Sequence, residues 1–185
     1  SYISATMLGK AMIGNGHITQ AKAMFEKQLR QEEKPAPQKF REVVASFYSY
    51  VGDHNKAADM YQDMLVEFGE SVGLLNNFAF NTLKANGDME KARNAAVKAV
   101  ALAPENGDIL DTLGWIEFKS NQLGKAYVNL SKAAELLPTS NAINLHFAEL
   151  LISMGNIKKA QRVLEKVKRP NSQEAKILKQ LRDKL

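Results

Sequence analysis

The sequence repeats itself with a fixed period between Gly87 and Pro138. Three pairs of identical residues stand 34 positions apart: Ala92/Ala126, Ala99/Ala133 and Pro104/Pro138. Within the period, apolar residues are spaced as on an α-helix. A period of this length with helical spacing is typical of stacked helical hairpins and not of a single closed core. We therefore expect the same unit to organise the rest of the chain.

The unit extends over nearly the whole sequence. An alanine followed by a second apolar residue four positions later occurs five times, at steps of 36, 35, 34 and 34 residues: Ala21/Phe25, Ala57/Tyr61, Ala92/Ala96, Ala126/Leu130 and Ala160/Leu164. Before each alanine lies a pair that tolerates left-handed backbone and ends a helix: Asn15-Gly16, Gly52-Asp53, Gly87-Asp88, Ser120-Asn121 and Gly155-Asn156. These features predict five hairpins, each with its turn at that pair.

The fourth unit shows most clearly why these residue types recur. Gly114, which follows Leu113, and Ala126 are small where two helices of one hairpin must approach, and Leu130 fills the space between them. Pro138 ends the second helix because proline lacks the N–H that would continue it. A leucine-glycine pair, a later alanine, a large apolar residue and a proline in this order resemble the tetratricopeptide repeat family.

This resemblance implies an all-α fold, a right-handed α-α superhelix (TPR solenoid) of five helical hairpins plus a C-terminal capping helix. The repeats would span about 2–35, 37–70, 72–105, 107–139 and 141–170, with the cap at 172–185, in one domain over 1–185. The predicted helices are 2–14, 18–32, 37–51, 54–68, 72–86, 88–103, 107–120, 122–137, 141–154, 156–168 and 173–184.

Three places depart from the regular unit. The first two repeats are stretched at Glu32-Glu33-Lys34-Pro35 and at Phe68-Gly69, and Pro35-Ala36-Pro37 predicts a local irregularity. Equivalent positions in successive repeats form what we call a slot. The slot of Gly114 is occupied by Gly9 in the first repeat. In the other repeats it is occupied by Ala45, Phe80 and Ala148. Of these, Phe80 is the residue that fits a close helix approach least well.

Composition limits the remaining possibilities. The 185 residues include no cysteine, which excludes disulfides, thiol catalysis and cysteine-ligated zinc. No apolar run approaches the roughly 18 residues of a membrane span. Because Ser1-Tyr2-Ile3 leads directly into a helical pattern, we expect the chain to be a piece of a longer protein.

The formal charge of +5 is concentrated at one end. Residues 158–185 contain ten Lys or Arg and three Asp or Glu, a net charge of +7. Such an end is compatible with nucleic acid or an acidic membrane surface. The alternative that we favour is an amphipathic capping helix with its lysines in water, because no aromatic residues for base stacking accompany the charge.

Motifs for catalysis or for metal and cofactor binding are absent from the sequence. His17, His54 and His146 have no i, i+4 partner and no flanking carboxylates in a ligand pattern, so we expect no metal site. Gly14-Asn15-Gly16 lacks the third glycine and the strand of a dinucleotide loop. Serine, histidine and aspartate occur without local support for a triad. We expect no enzymatic activity and no cofactor.

A hairpin solenoid does offer a groove, lined by one stripe of each first helix. In the fourth repeat Asp111, Trp115 and Phe118 share a helical face, followed by Lys119. Aromatic residues dominate binding hot spots, so this stripe suits a protein or peptide anchor. In the alternative interpretation, Trp115 packs against the first helix of the next repeat.

Other candidates follow from matching slots of the repeat. The corresponding positions of the third repeat hold Asn77, Asn81 and Lys84. The two asparagine side chains would form hydrogen bonds with the backbone of an extended peptide. Glu149 takes the slot of Trp115 in the fifth repeat. Family members that grip the carboxylate of a chaperone use lysine and asparagine in such slots; here Glu42 has the wrong charge, so we expect that clamp to be absent.

A narrower resemblance concerns the third and fourth repeats. Three segments are similar to the C-terminal repeats of bacterial tetratricopeptide lipoproteins of exopolysaccharide and exosortase systems: 75–80, 101–106 and 109–115. The resemblance implies a bacterial source and favours the periplasm or cell envelope over the cytoplasm.

Three functions are consistent with the sequence. The leading hypothesis is a non-catalytic scaffold that binds a peptide or protein partner in the groove. The first alternative is a module that positions a catalytic or secretion component of a longer envelope protein. The second is nucleic-acid binding through the basic end, which we do not expect.

Overall fold

The computed structural model describes residues 2–30 and 36–185. In these ranges it contains no β-strand and eleven α-helices: α1 Tyr2–Gly14, α2 Ile18–Arg30, α3 Gln38–Tyr50, α4 His54–Phe68, α5 Val72–Lys84, α6 Met89–Leu102, α7 Gly107–Lys119, α8 Leu123–Leu136, α9 Asn141–Ser153, α10 Ile157–Leu164 and α11 Ser172–Arg182. The prediction of an all-α chain is confirmed. The stretch Glu32-Glu33-Lys34-Pro35 and the first residue of Pro35-Ala36-Pro37 lie outside the described residues.

The chain forms two compact units, Ser1–Gly87 and Asp88–Leu185. In the first unit, α1 packs on α2, α3 on α4 and α4 on α5. In the second, α6 packs on α7, α7 on α8, α8 on α9 and α9 on both α10 and α11. The predicted third hairpin contributes α5 to the first unit and α6 to the second. A single domain over 1–185 stays a prediction.

Small residues occupy the positions of closest helix approach, as predicted. All five slot alanines have no exposed surface: Ala21, Ala57, Ala92, Ala126 and Ala160. A Cβ atom on Gly114 would lie 2.7 Å from Cγ of Leu130 and 3.1 Å from its backbone nitrogen, so α7 and α8 leave no room for a side chain. A Cβ atom on Gly9 would collide with the ring of Phe25. In the same slot of α5, Phe80 instead places its ring edge-on to His54 of α4.

The first helix of each predicted hairpin ends with the same hydrogen bonds. Five backbone N–H groups each donate to the carbonyl five residues earlier: His17 to Met12, Asp53 to Tyr48, Gly87 to Thr82, Gln122 to Glu117 and Asn156 to Leu151. The residue before each donor has a positive φ: Gly16 77°, Gly52 84°, Asn86 53°, Asn121 58° and Gly155 75°. This is the Schellman arrangement. In the third turn the left-handed residue is Asn86, one position before the predicted pair, because asparagine also tolerates this backbone.

The helix α10 is shorter than predicted, ending at Leu164 instead of residue 168. Pro170 has no backbone N–H and so cannot continue a helix, and Arg169 before it adopts a φ of 44°. The chain before it tightens into turns, with Val167 N–H donating to the carbonyl of Leu164. The chain then enters α11 through a capping box formed by Asn171 and Glu174.

The helix α11 covers α9, as predicted for a capping helix. Leu178 and Leu181 are its buried residues. Ile177 of the same helix is half-buried, and Leu185 beyond its end is exposed. None of the helices in the described ranges is both long and apolar enough to cross a membrane.

A polar network joins three helices of the first unit. The hydroxyl of Tyr48 donates to Oε1 of Glu26 at 3.0 Å, and the ammonium of Lys56 contacts the same oxygen at 3.3 Å. These two hydrogen bonds lower the pKa of the Glu26 carboxyl. The pKa of Lys56 is raised, chiefly by its interaction with the Tyr48 hydroxyl, and burial raises the pKa of Tyr48. All three groups therefore keep these hydrogen bonds at pH values above the pKa of the Glu26 carboxyl and below the pKa of the Lys56 ammonium.

A second polar contact lies in the core of the second unit. Glu117 of α7 is almost completely buried and accepts a hydrogen bond of 2.7 Å from the side-chain amide of Asn129 in α8. The guanidinium of Arg93 in α6 lies 3.7 Å from its other oxygen. Because the buried carboxylate has both a hydrogen-bond donor and a cation, the cost of removing it from water is offset.

Enlarging a slot alanine should overpack a hairpin. We expect Ala126→Leu to destabilise the chain by about 1–3 kcal/mol, because the added side chain has no free volume between α7 and α8. Thermal or denaturant unfolding measures this. Ala101→Leu, at an exposed helical position, is the matched control and should change stability by no more than about 0.5 kcal/mol. Equal stability of the two variants would contradict the assigned packing.

The left-handed turn at Asn121 predicts a residue-specific effect. We expect Asn121→Ala to lower the free energy of unfolding by about 1 kcal/mol, because alanine is disfavoured at positive φ. Asn121→Gly should preserve or raise stability, since glycine has no Cβ penalty there. Urea unfolding of the two variants distinguishes this backbone effect from loss of the asparagine side chain, which would destabilise both.

The Glu26 network predicts an acid-dependent stability. Since the folded-state pKa of Glu26 is lowered, its stabilising contribution is present above the unfolded pKa of about 4.3 and is lost as the pH falls through the folded pKa. The melting temperature of Glu26→Gln should therefore lie below that of the parent at about pH 6 and converge with it towards about pH 3. Glu135→Gln, at an exposed position, should show no such convergence. A pH-independent difference for Glu26→Gln would refute the linkage.

Candidate functional site

The second unit brings together most of the residues predicted to line a groove. They lie on α7 and α9, the first helices of successive predicted hairpins, which contact each other. We call this group the α7–α9 cluster: Asp111, Trp115, Phe118 and Lys119 on α7, and His146 and Glu149 on α9. Two helices thus present one aromatic and charged surface.

Trp115 is the centre of this cluster. Only 8% of its surface is exposed, and its ring stacks on the imidazole of His146 with centroids 4.0 Å apart and planes inclined by 17°. Phe118 also contacts Trp115, at a centroid distance of 5.0 Å. The structure thus has Trp115 packing against the first helix of the next repeat, the alternative left open by the sequence.

The contact with Asp111 fixes the orientation of the imidazole. Nδ1 of His146 lies 3.0 and 2.9 Å from the two carboxylate oxygens of Asp111. Because an ionised carboxylate only accepts hydrogen bonds, Nδ1 carries the proton and donates it. Nε2 is then the nitrogen left for a further hydrogen bond.

Lys119 connects the aromatic residues to Glu149. Its ammonium lies 4.2 Å from the Trp115 ring centroid, 5.1 Å from that of Phe118 and 3.4 Å from Oε1 of Glu149. The side chains of Lys119 and Glu149 are 41% and 30% exposed. Both the cation and the carboxylate therefore remain accessible beside a fixed aromatic surface.

Sequence reasoning did not assign His146 to this cluster. The alignment of repeats assigned Glu149 to the position of Trp115, yet His146, three residues earlier, is the residue that contacts both Asp111 and Trp115. A signal was available, because His146 and Glu149 are three residues apart and so share a helix face. The tetratricopeptide repeat pattern alone does not assign His146 to the cluster.

The cluster contains one histidine paired with one carboxylate. Among the described residues, no three His, Cys, Asp or Glu side chains are arranged to hold a metal ion. An Asp–His pair supports hydrolysis only where the second imidazole nitrogen meets a nucleophile, and no hydroxyl hydrogen-bonded to His146 occurs in the described part of the chain. The accessible charged groups of the cluster are the cation Lys119 and the anion Glu149, which lie beside its aromatic rings.

In the first unit, the three predicted residues of α5 differ in availability. Asn81 is 1% exposed; its side-chain amide donates to the carbonyl of Asn77 at 2.8 Å and accepts from Nδ1 of His54 at 3.0 Å. Its hydrogen-bonding groups therefore face the protein interior. Asn77 is half-buried, and Lys84 is exposed with its ammonium 5.6 Å from the Phe80 ring centroid. Of the three, only Asn77 and Lys84 present polar groups to a ligand.

A cleft of about 340 Å³ lies between α1 and α3 of the first unit. It is lined by Lys10, Ile13, Glu42 and Ser46, together with Tyr50, whose exposed fraction is 68%. The hydroxyl of Ser46 forms a hydrogen bond of 2.9 Å with that of Tyr61, and burial raises the pKa of Tyr61. The cleft therefore combines an exposed aromatic ring with charges of both signs.

Solved structures of several bacterial proteins share this fold. MamA from Desulfovibrio magneticus RS-1 is 16% identical with a TM-score of 0.73, over 98% of this chain and 95% of that chain. A thermophilic TPR protein of Thermus thermophilus is 17% identical with a TM-score of 0.77, over 100% and 98%. PilF of Pseudomonas aeruginosa is 18% identical with a TM-score of 0.72, over 99% and 86%. At these identities the likeness concerns the fold alone.

Sequence comparison is informative for the C-terminal part. No curated protein matches the chain, whereas residues 117–185 match the family model described as tetratricopeptide repeat. This stretch contains the alanine slots at Ala126 and Ala160 and the covering helix α11. The chain therefore has the tetratricopeptide repeat fold, with the sequence of the tetratricopeptide repeat family recognised over residues 117–185.

Proposed function

We propose that this chain is a non-catalytic scaffold that binds a peptide or protein partner through the α7–α9 cluster. Tetratricopeptide repeat proteins commonly serve as protein-interaction scaffolds. The observation that carries the proposal is the half-buried ring of Phe118 beside the accessible ends of Lys119 and Glu149. Aromatic residues, phenylalanine included, are enriched in protein interfaces.

The geometry below these side chains favours binding. Trp115, His146 and Asp111 hold one another by stacking and hydrogen bonding, so Phe118 and Lys119 rest on an ordered base. Side chains that are already ordered lose less conformational entropy when a partner binds. The partner that fits has an apolar side chain for Phe118, with backbone carbonyl and N–H groups for Lys119 and Glu149.

Asn77 and Lys84 of α5 offer a separate polar contact to a partner in the first unit. Their side chains suit the backbone and acidic groups of a peptide. The narrower resemblance to envelope lipoproteins of exopolysaccharide and exosortase systems stays a prediction, and so does the compartment. The alternative function, a module that positions a catalytic or secretion component of a longer protein, also stays a prediction.

A peptide-display selection tests the proposal without a known partner. Peptides selected on the parent chain are measured by fluorescence polarisation against Phe118→Ala/Lys119→Ala, which we expect to bind at least about tenfold more weakly. The matched control is Val128→Ala/Lys125→Ala on α8, which also removes one apolar side chain and one lysine, here at two exposed positions. It should retain affinity within about twofold.

Hydrogen exchange locates the binding surface independently. A bound selected peptide should slow exchange in α7 and α9. Equal losses in both double variants, protection confined to other helices, or a selection that enriches no peptide would each contradict the proposal. Circular dichroism of the variants separates lost binding from lost folding.

A further inference from the structure

A cavity of about 830 Å³ lies along α10, on a different surface from the α7–α9 cluster. We call it the α10 cavity. Half of the eight residues that line it are cationic: Lys158, Lys159, Arg162 and Lys166. Its volume falls in the range of about 300–1,000 Å³ that is usual for ligand sites. Neither the repeat pattern nor the proposed scaffold function uses this surface.

The cations around the α10 cavity lack acidic partners. None of the ten Lys or Arg residues in 158–185, all of which the structure describes, forms an ion pair with a carboxylate. Elsewhere in the described chain, by contrast, lysines and arginines pair with glutamates on neighbouring helices, as Lys119 does with Glu149. The net charge of +7 over these residues is therefore not neutralised internally.

One of the four cavity cations has a role within the fold. The ammonium of Lys159 lies 2.5 Å from the hydroxyl of Tyr127, 4.8 Å from the Tyr127 ring centroid and 5.4 Å from that of Phe147. Of the other three, Lys158 and Arg162 lie one turn apart on α10, whereas Lys166 lies in the turn after the helix ends at Leu164. Residues four apart on a helix rise by about 6 Å.

The distance between Lys158 and Arg162 along α10 favours some anionic ligands over others. In an extended peptide, side chains two residues apart point the same way and lie about 6.6–6.8 Å apart. Two acidic residues at alternate positions would thus meet Lys158 and Arg162, and the planar guanidinium of Arg162 matches a carboxylate with two parallel hydrogen bonds.

Two other polyanions fit less well. No aromatic side chain lines the cavity, so unpaired bases would have no surface for stacking. A helix that binds a membrane surface also presents exposed apolar residues to the bilayer, whereas Val163 and Leu164 of α10 are buried in the fold.

We propose that the α10 cavity binds an extended acidic peptide segment with carboxylates at alternate positions. Lys158 and Arg162 pair with these carboxylates, and Lys166 lies beside them. Because screening weakens such pairs, binding falls as salt rises. This site is independent of the α7–α9 cluster, so the full chain has two surfaces for different sequences.

The test uses the full 185-residue chain and a fluorescein-labelled peptide of alternating Glu and Ala. Fluorescence polarisation at low salt should detect binding that Lys158→Glu/Arg162→Glu weakens at least about tenfold and that Lys158→Gln/Arg162→Gln weakens less. All of these positions are exposed, so the fold should be retained, as circular dichroism will check. The control is Lys176→Glu/Lys184→Glu on and after α11, which makes the same change in net charge and should alter affinity by less than about threefold.

Competing probes distinguish the alternatives. A peptide of the same composition with its Glu and Ala residues in two blocks, an unlabelled single-stranded oligonucleotide and phosphatidylserine vesicles should each compete less well than the alternating peptide. Equal weakening by both charge-reversal variants would overturn the proposal, because binding would then follow net charge alone. No binding of the peptide, or better competition by the oligonucleotide or the vesicles, would overturn it as well.

Discussion

The packing of paired helices against a residue with little or no side chain is the constraint on which the rest of the structure depends. At Gly114 a single added carbon would collide with both the side chain and the backbone of Leu130. The slot alanines opposite the first helices have no exposed surface. Helices this close exclude water and large side chains from their contact, so the functional side chains must lie on the remaining stripes. The positions of Trp115, Phe118 and Lys119 follow from that restriction.

Much of the fold could be predicted because its determinants are local. The spacing of alanine and a larger apolar residue, together with Gly or Asn before the second helix, locates helices and turns without knowledge of distant contacts. The error at α10 is also local: the apolar pattern of Val163 and Val167 predicts further helix, whereas the backbone forms turns after Leu164. Periodicity alone does not predict that change.

The candidate site was less predictable because its contacts join residues on different helices. The sequence placed Trp115 and Phe118 on one helix face, yet the role of His146 depends on the distance between α7 and α9. Asn81 shows the same limit in the first unit. Its slot indicated a ligand-facing amide, but its neighbour His54 in α4 holds it inside. The repeat pattern predicts where a residue lies on its helix. It does not predict which side chain of a neighbouring helix contacts that residue.

The hairpin contacts also bear on how this chain folds. Gly9 meets Phe25 and Gly114 meets Leu130 across only 16 positions of sequence. Closing such short loops costs little chain entropy, and structures rich in nearby contacts reach the native state on microsecond to millisecond timescales. Individual hairpins can form before distant parts of the chain are made, which suits progressive folding during synthesis.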